Sequence, residues 1–364
     1  MQIHLNTITA WRRITQCACL VLLIYGGYFF KESFDSPAAR PGGDAPQATE
    51  SEPGSEIIPS IKPPEGAIRT TAFKQGSILW PSGATPVLEL YPPSLICRFN
   101  PNGGMFKACP LHLVSENLTW QTSIKYVLPH VTVFVLLCFL FARSWCGWVC
   151  PIGTIGDALS WIRRRMNIPL RRFSARFRHG LRAGAYAIFT ATVAISAAIG
   201  FPNLARFQCY WFLPYCQICP ARLICPLFGL INPGWRDFSN AVTITFTLLA
   251  WLVMGLFVAA FYFGRRVWCH LCPVGLMNSW FNRGSLVELR KRTLKCNKCA
   301  ACAEACPMGL TRMYRLDSDA VYNQAGCIVC LRCVEACPQK DCLSAGIAGK
   351  KLLTSKFKPK RHSP

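Results

Sequence analysis

Near its carboxyl end the chain repeats one cysteine spacing: Cys296, Cys299, Cys302 and Cys306-Pro307, then Cys327, Cys330, Cys333 and Cys337-Pro338. Each copy reads Cys-x-x-Cys-x-x-Cys-x-x-x-Cys-Pro. Three thiolates so close together wrap one face of an iron–sulfur cubane, and the fourth cysteine of each run reaches the other cluster. The spacing therefore predicts two [4Fe–4S] clusters, one on Cys296, Cys299, Cys302 and Cys337, the other on Cys327, Cys330, Cys333 and Cys306. The proline after each last cysteine turns the chain away and removes a backbone donor. Soft thiolates also suit zinc, but two tandem runs in this register favour cubanes.

The second constraint is how the apolar residues are distributed. They make up 52% of the 364 residues and gather in uncharged stretches at 14–30, 126–142, 183–205 and 238–264. A helix crossing the hydrocarbon core needs about 20 mostly apolar residues, and lipid admits no unpaired backbone. Four spans are expected, the first two at the short end of the range. The net charge of +23 is explained by its location. Residues 143–182 carry nine arginines against Asp157 alone, and 265–295 are also basic, whereas 202–240 hold three Arg and one Asp. Lys and Arg near membrane ends mark the cytoplasmic side, which puts both termini in the cytoplasm of a bacterial inner membrane protein and leaves no need for nucleic acid. The first stretch reads as an uncleaved anchor, with a cleaved signal peptide as the alternative.

The expected fold is an α-helical membrane bundle of about four transmembrane helices, followed by a small α+β ferredoxin domain of the bacterial 2[4Fe–4S] type. In order, the sequence suggests an anchor (1–34), a flexible exterior linker (35–66) rich in Pro, Gly, Ser and Glu, an exterior loop region of strands or turns (67–125), the bundle (126–285), the ferredoxin-type domain (286–345) and a disordered basic tail (346–364). Residues 163–182 mix Arg with large apolar groups and suit a segment lying along anionic headgroups.

Two further cysteine groups are candidates for metal. Cys146 and Cys150 in RSWCGWVCPIGT follow the second stretch, and Cys269 and Cys272 in RRVWCHLCPVG follow the fourth. If these spans are adjacent, four thiols converge on a third cluster or a redox-active thiol site; structural Cys-Pro turns are the alternative. His270 lies between two of them and reads as a solvated interfacial histidine. On the exterior side, Cys109, Cys216, Cys219 and Cys225 form a candidate cluster, with Cys97 and Cys209 as competitors and disulfides as the alternative. Cys17, Cys19 and Cys138 fall inside spans and read as packing residues. His130, near the exterior end of the second span, is a quinone candidate because intramembrane ionisable groups tend to be functional; a histidine bonded to a neighbouring helix is the alternative. No glycine-rich nucleotide fingerprint is present.

Taken together, CGWVCPIG after one span, CHLCPVG after another and the paired C-terminal runs resemble the NapH-type membrane polyferredoxins, whose relatives include the C-terminal part of NosR proteins and MauN-type proteins. The resemblance covers about residues 120–345. It implies an electron-transfer subunit of quinol dehydrogenase type rather than a stand-alone catalyst. Such a subunit relays electrons between the quinone pool or a cytoplasmic donor and an exterior redox partner. A maturation or redox-sensing factor for a periplasmic metalloenzyme is the alternative. The 31–125 and 202–240 loops exceed what a minimal four-span member needs.

Overall fold

The protein, analysed as a computed structural model, is described here for residues 7–29, 93–94, 109–120, 124–169, 173–207, 211, 214–221, 224, 238, 241–264, 266–317, 319–321 and 326–356. The 35–66 linker and most of the 67–125 region lie outside these residues, as do Cys97, Cys209 and Cys225.

The described residues before 281 are mainly helical. Their elements are α1 (Thr7–Phe29), α2 (Pro110–Trp120), α3 (Ile124–Phe141), α4 (Ser144–Trp148), α5 (Pro151–Arg165), α6 (Ala175–Ile199), α7 (Pro214–Ile218), α8 (Ala241–Phe263), α9 (Trp268–Leu271) and α10 (Pro273–Trp280). Local chemistry sets several starts. The Ser174 side chain accepts the Phe177 N–H at 3.1 Å and caps α6. The Cys-Pro pairs put Pro151 and Pro273 at the first positions of α5 and α10, where a missing N–H costs nothing.

Two of these helices, α6 and α8, are long and apolar enough to cross a membrane, and Val127–Phe141 is a shorter apolar helix. On α8, Leu248, Leu252 and Leu256 are 60%, 58% and 61% exposed. They sit four residues apart, so they form one ridge that the protein leaves uncovered and that lipid suits. Of the other two expected spans, α1 starts earlier and carries Arg12 and Arg13, and α3 has 18 residues with Pro129 inside. Part of the region expected to hold strands or turns is instead the helix α2, whose Thr119 hydroxyl donates to Ser196 O of α6 at 3.3 Å.

The carboxyl-terminal unit is a four-stranded antiparallel sheet in the order β2-β1-β3-β4, from β1 (Val287–Lys291), β2 (Ala320–Val321), β3 (Leu343–Ile347) and β4 (Lys350–Thr354). Leu289 stands opposite Ala345 at its centre. Three short helices complete it: α11 (Ala301–Ala305), α12 (Arg312–Arg315) and α13 (Arg332–Ala336). The sheet runs past residue 345, because β4 forms where the sequence suggests a disordered tail. Ala348 and Gly349, at φ 48° and 81°, make the tight turn that antiparallel neighbours favour. The Ser355 hydroxyl then accepts the N–H groups of Cys342 and Leu343 at 3.0 and 3.1 Å, closing the hairpin.

Candidate metal centre

The two cysteine runs fold alike. Lys298 and Ala300 in the first, and Val329 and Leu331 in the second, occupy equivalent positions at φ 51°, 60°, 46° and 59°. Left-handed backbone costs a non-glycine residue about 1 kcal/mol, so four such residues mark a loop shape imposed for a purpose. The curl turns successive cysteines to one side. The third cysteine of each run then rides on a one-turn helix, Cys302 on α11 and Cys333 on α13, and these two helices pack together.

That packing crosses the runs. Cys302 lies within electrostatic reach of Cys337, Cys296 and Cys299, and the four line one small cavity. Cys327 lies beside Cys330 and Cys306, while Cys333 and Cys337 share an apolar core. Burial, and next the neighbouring Cys337, push Cys302 up to about 11. Burial and Cys330 do the same for Cys306, and burial takes Cys327 to about 12. Grouped buried thiols ionise only against a compensating positive body, which is what the iron of a cluster supplies. Among the described residues no three His, Cys, Asp or Glu side chains converge as the ligands of a single ion would. Four cysteines on one cavity are the donor set that a [4Fe–4S] cluster takes.

The second run docks on the bundle through Asp157 of α5. Its carboxylate accepts from Arg266 Nη2 at 2.7 Å and Nε at 3.2 Å, from Arg332 Nη2 at 3.4 Å and from Gln16 Nε2 at 3.2 Å, and pairs with Arg12 Nη1 at 3.4 Å. Four segments thus meet on one acid: α1, α5, the loop after α8 and the Cys330–Cys333 turn. Burial alone would raise the Asp157 pKa. The guanidinium of Arg266, followed by Arg332 and Arg12, overrides it and holds the carboxyl well below the usual range. Backbone groups complete the junction. Trp148 Nε1 donates to Val329 O at 3.0 Å, Asn282 Nδ2 to Cys327 O at 2.8 Å, Gln16 Nε2 to Gly147 O at 3.0 Å and Arg266 Nη1 to Cys146 O at 2.5 Å.

The Cys146, Cys150, Cys269 and Cys272 group is brought together. Cys272 lies within reach of the other three, and Cys146 and Cys269 share a core with Ile328 and Cys330 of the second run. The remaining group does not stay apart from it, in contrast to the separation that charge patterning implies. Cys109 and Cys219 are buried in the same core as Cys150 and Cys272, and Tyr215 of α7 senses Cys219, Cys272 and Cys109 together. The physical reason is that α2 and α7 pack within the bundle, against α6 and α8, and carry their flanking cysteines inward. Cys216, on α7, is half-buried, and among the described residues no disulfide is present.

His130 is buried in α3, and the cysteine group just described does not include it. His270 is partly buried rather than solvated. Burial, then Arg143, Arg178 and Arg182, push it down to about 4, so it is neutral at pH 7. Of the span cysteines, Cys138 is fully buried and its thiol donates to Asn278 Oδ1 at 3.4 Å, whereas Cys17 is exposed and Cys19 half-buried. Sequence reading missed Cys342, which is buried beside Cys337 and Cys296 with no motif to mark it. It also missed the role of Asp157, although a lone acid among nine arginines was a visible signal.

Comparison with known proteins agrees with this geometry. A 4Fe-4S binding domain family matches residues 130–169 and 244–296, which include both bundle Cys-Pro pairs, and a 4Fe-4S dicluster domain matches 288–338. The ferredoxin-type protein NapH of Haemophilus influenzae is 25% identical over 170 residues, 46% of this chain and 48% of that protein. The methylamine utilization ferredoxin-type protein MauN of Methylorubrum extorquens is 29% identical over 168 residues, 45% and 47% of the two chains. An uncharacterized protein of Methanocaldococcus jannaschii is 23% identical over 241 residues, 65% of this chain and 86% of that one. The chain thus spans about half the length of the NapH and MauN relatives. No solved structure matches.

Proposed function

We propose that the chain, which resembles the NapH-type polyferredoxins in its motifs and its relatives, is a multi-pass membrane electron conduit. It would relay electrons between the quinone pool or a cytoplasmic donor and a redox partner on the exterior side. Four spans, α1, α3, α6 and α8, and cytoplasmic termini belong to this reading. The observation that carries it is a succession of grouped thiols: Cys302 with Cys337, Cys306 with Cys330, Cys330 with Cys146 and Cys269, Cys272 with those two, and Cys272, Cys219 and Cys109 around Tyr215.

When bound, each cluster supplies a one-electron carrier. The chain's own residues hold and insulate it. Cys296, Cys299, Cys302 and Cys337 would hold the outer cluster, and Cys327, Cys330, Cys333 and Cys306 the one facing the bundle. Cys146, Cys150, Cys269 and Cys272 are the proposed third set. Cys109, Cys216, Cys219 and Cys225 are the proposed fourth set. A hydrocarbon core is ~30 Å thick, too far for one transfer between loops on opposite faces. Cys109 and Cys219, buried in the same core as Cys150 and Cys272, are the proposed intermediate stop. His130 is the proposed quinone contact, supported by its burial in α3.

The test is anaerobic addition of a quinol to the purified protein, followed by EPR. Quinol-dependent reduction of cubane signals is the expected result. Clusters that never respond to quinol or to an exterior acceptor would leave the maturation or sensing role as the better account.

A further inference from the structure

Beside the docking junction, three cations face one space. Arg13 of α1, Arg164 of α5 and Arg332 of α13 line an open cavity of ≈ 250 Å³ together with Thr9 and Glu335. Glu335 is the single carboxylate there, and both its oxygens are engaged by Thr9: Oε1 accepts the Thr9 N–H at 3.3 Å and Oε2 accepts its hydroxyl. Arg332 is anchored from behind by Asp157. Burial and then the repulsion of Arg332, Arg13 and Arg163 bring Arg164 below its ordinary value, and three guanidinium groups line the cavity against the one carboxylate of Glu335. Helices α1 and α5 also carry exposed apolar side chains: Trp11 and Ile14 on α1, Trp161 and Ile162 on α5 and Met166 at its end. Exposed aromatics next to arginines are the surface of a segment lying at the headgroup level.

We propose that the Arg13, Arg164 and Arg332 cavity binds a phosphate anion, carried there by the headgroup of an anionic phospholipid. Basic pockets between membrane helices and the headgroup layer suit such ligands, and guanidinium forks match phosphate oxygens two at a time. Exposed Trp11, Ile14 and Trp161 on the helices that carry Arg13 and Arg164 favour a lipid over a free anion. Occupancy would tie α1 and α5 to α13, and so bear on how firmly the second cysteine run is seated.

Full-length protein in detergent can be titrated with phosphatidylglycerol, phosphatidylcholine or inorganic phosphate, with binding read by native mass spectrometry and calorimetry. Phosphatidylglycerol should bind more tightly than phosphatidylcholine. The Arg13→Gln/Arg164→Gln double variant should lose about 30-fold in affinity, at ~1 kcal/mol for each basic group. The Arg13→Lys/Arg164→Lys pair should retain most of the binding. Inorganic phosphate that binds with the same dependence on these arginines would support the anion site and name a soluble source. Equal binding of the two lipids, or a Gln double variant that binds like the parent, would overturn the proposal. Iron content and the visible spectrum show whether each variant is folded.

Discussion

Asp157 Oδ2 accepts a hydrogen bond from Arg266 Nη2 at 2.7 Å, and Oδ1 accepts from Arg266 Nε at 3.2 Å. This two-pronged pair lies where the ferredoxin unit meets the helical bundle. Arg266 is fully buried, so its charge depends on the acid. Asp157→Asn keeps the shape but leaves Arg266 and Arg12 without compensation. Breaking a buried pair by removing one partner costs about 3–5 kcal/mol. Thermal melts in detergent should show a markedly lower transition for the variant. A melt that does not move would mean that the junction draws its stability from Trp148 and Asn282 instead.

The same pair sets a pH dependence. The folded pKa of Asp157 is depressed, so its contribution is complete above the unfolded carboxyl value of about 3.9 and is lost as pH falls toward the folded one. Stability measured from pH 7 down to 5 should therefore not change on account of Asp157. Below about pH 4 the wild type should lose stability more steeply than Asp157→Asn, and the two curves should converge. Parallel acid limbs for the two proteins would contradict this assignment.

What the sequence made legible was what spacing encodes. The doubled cysteine run specified the ferredoxin-type unit, because most cysteines of each run lie within a few residues of each other. The α6 and α8 helices were legible because length and hydropathy are local properties. Three features were not. Strand β4 depends on a turn at Ala348-Gly349 and on the Ser355 cap, neither of which hydropathy reports. The inward course of Cys109 and Cys219 depends on α2 and α7 packing against α6 and α8, which is tertiary. Asp157 was visible as an isolated acid, but its partners come from residues 12, 16, 266 and 332, and no local pattern joins positions so far apart.

Glycine 147 illustrates how closely the ferredoxin loop approaches the bundle. A Cβ at Gly147 would run into the carbonyl oxygen of Ile328, between Cys327 and Cys330. Backbone cannot swing aside as a flexible side chain does, so Gly147→Ala should push the 327–330 turn off the bundle. Overpacking costs about 1–3 kcal/mol. The EPR signal of the cluster assigned to Cys327, Cys330, Cys333 and Cys306 should change in line shape, while the other cluster is left alone. Gly255→Ala on α8 is the matched control, since nothing lies within 4 Å of a Cβ there. If both variants give parental spectra, the contact does not restrain the turn.

The ninth cysteine of the ferredoxin unit separates ligation from packing. Cys302 and Cys342 both lie beside Cys337 and Cys296, so proximity alone does not tell them apart. Their places in the chain do. Cys302 lies on α11 within the curl shared by the two runs, whereas Cys342, after the left-handed Asp341, lies outside both runs and leads into β3 with its N–H held by Ser355 Oγ at 3.0 Å. Its thiol points toward Arg292 O at 3.8 Å, as a buried weak donor would. Cys302→Ser should thus lower iron and acid-labile sulfide by about four of each per chain. Cys342→Ser should leave both counts unchanged and cost at most a modest amount of stability. Equal iron loss in the two variants would make Cys342 a ligand and would require a different partner set for Cys337.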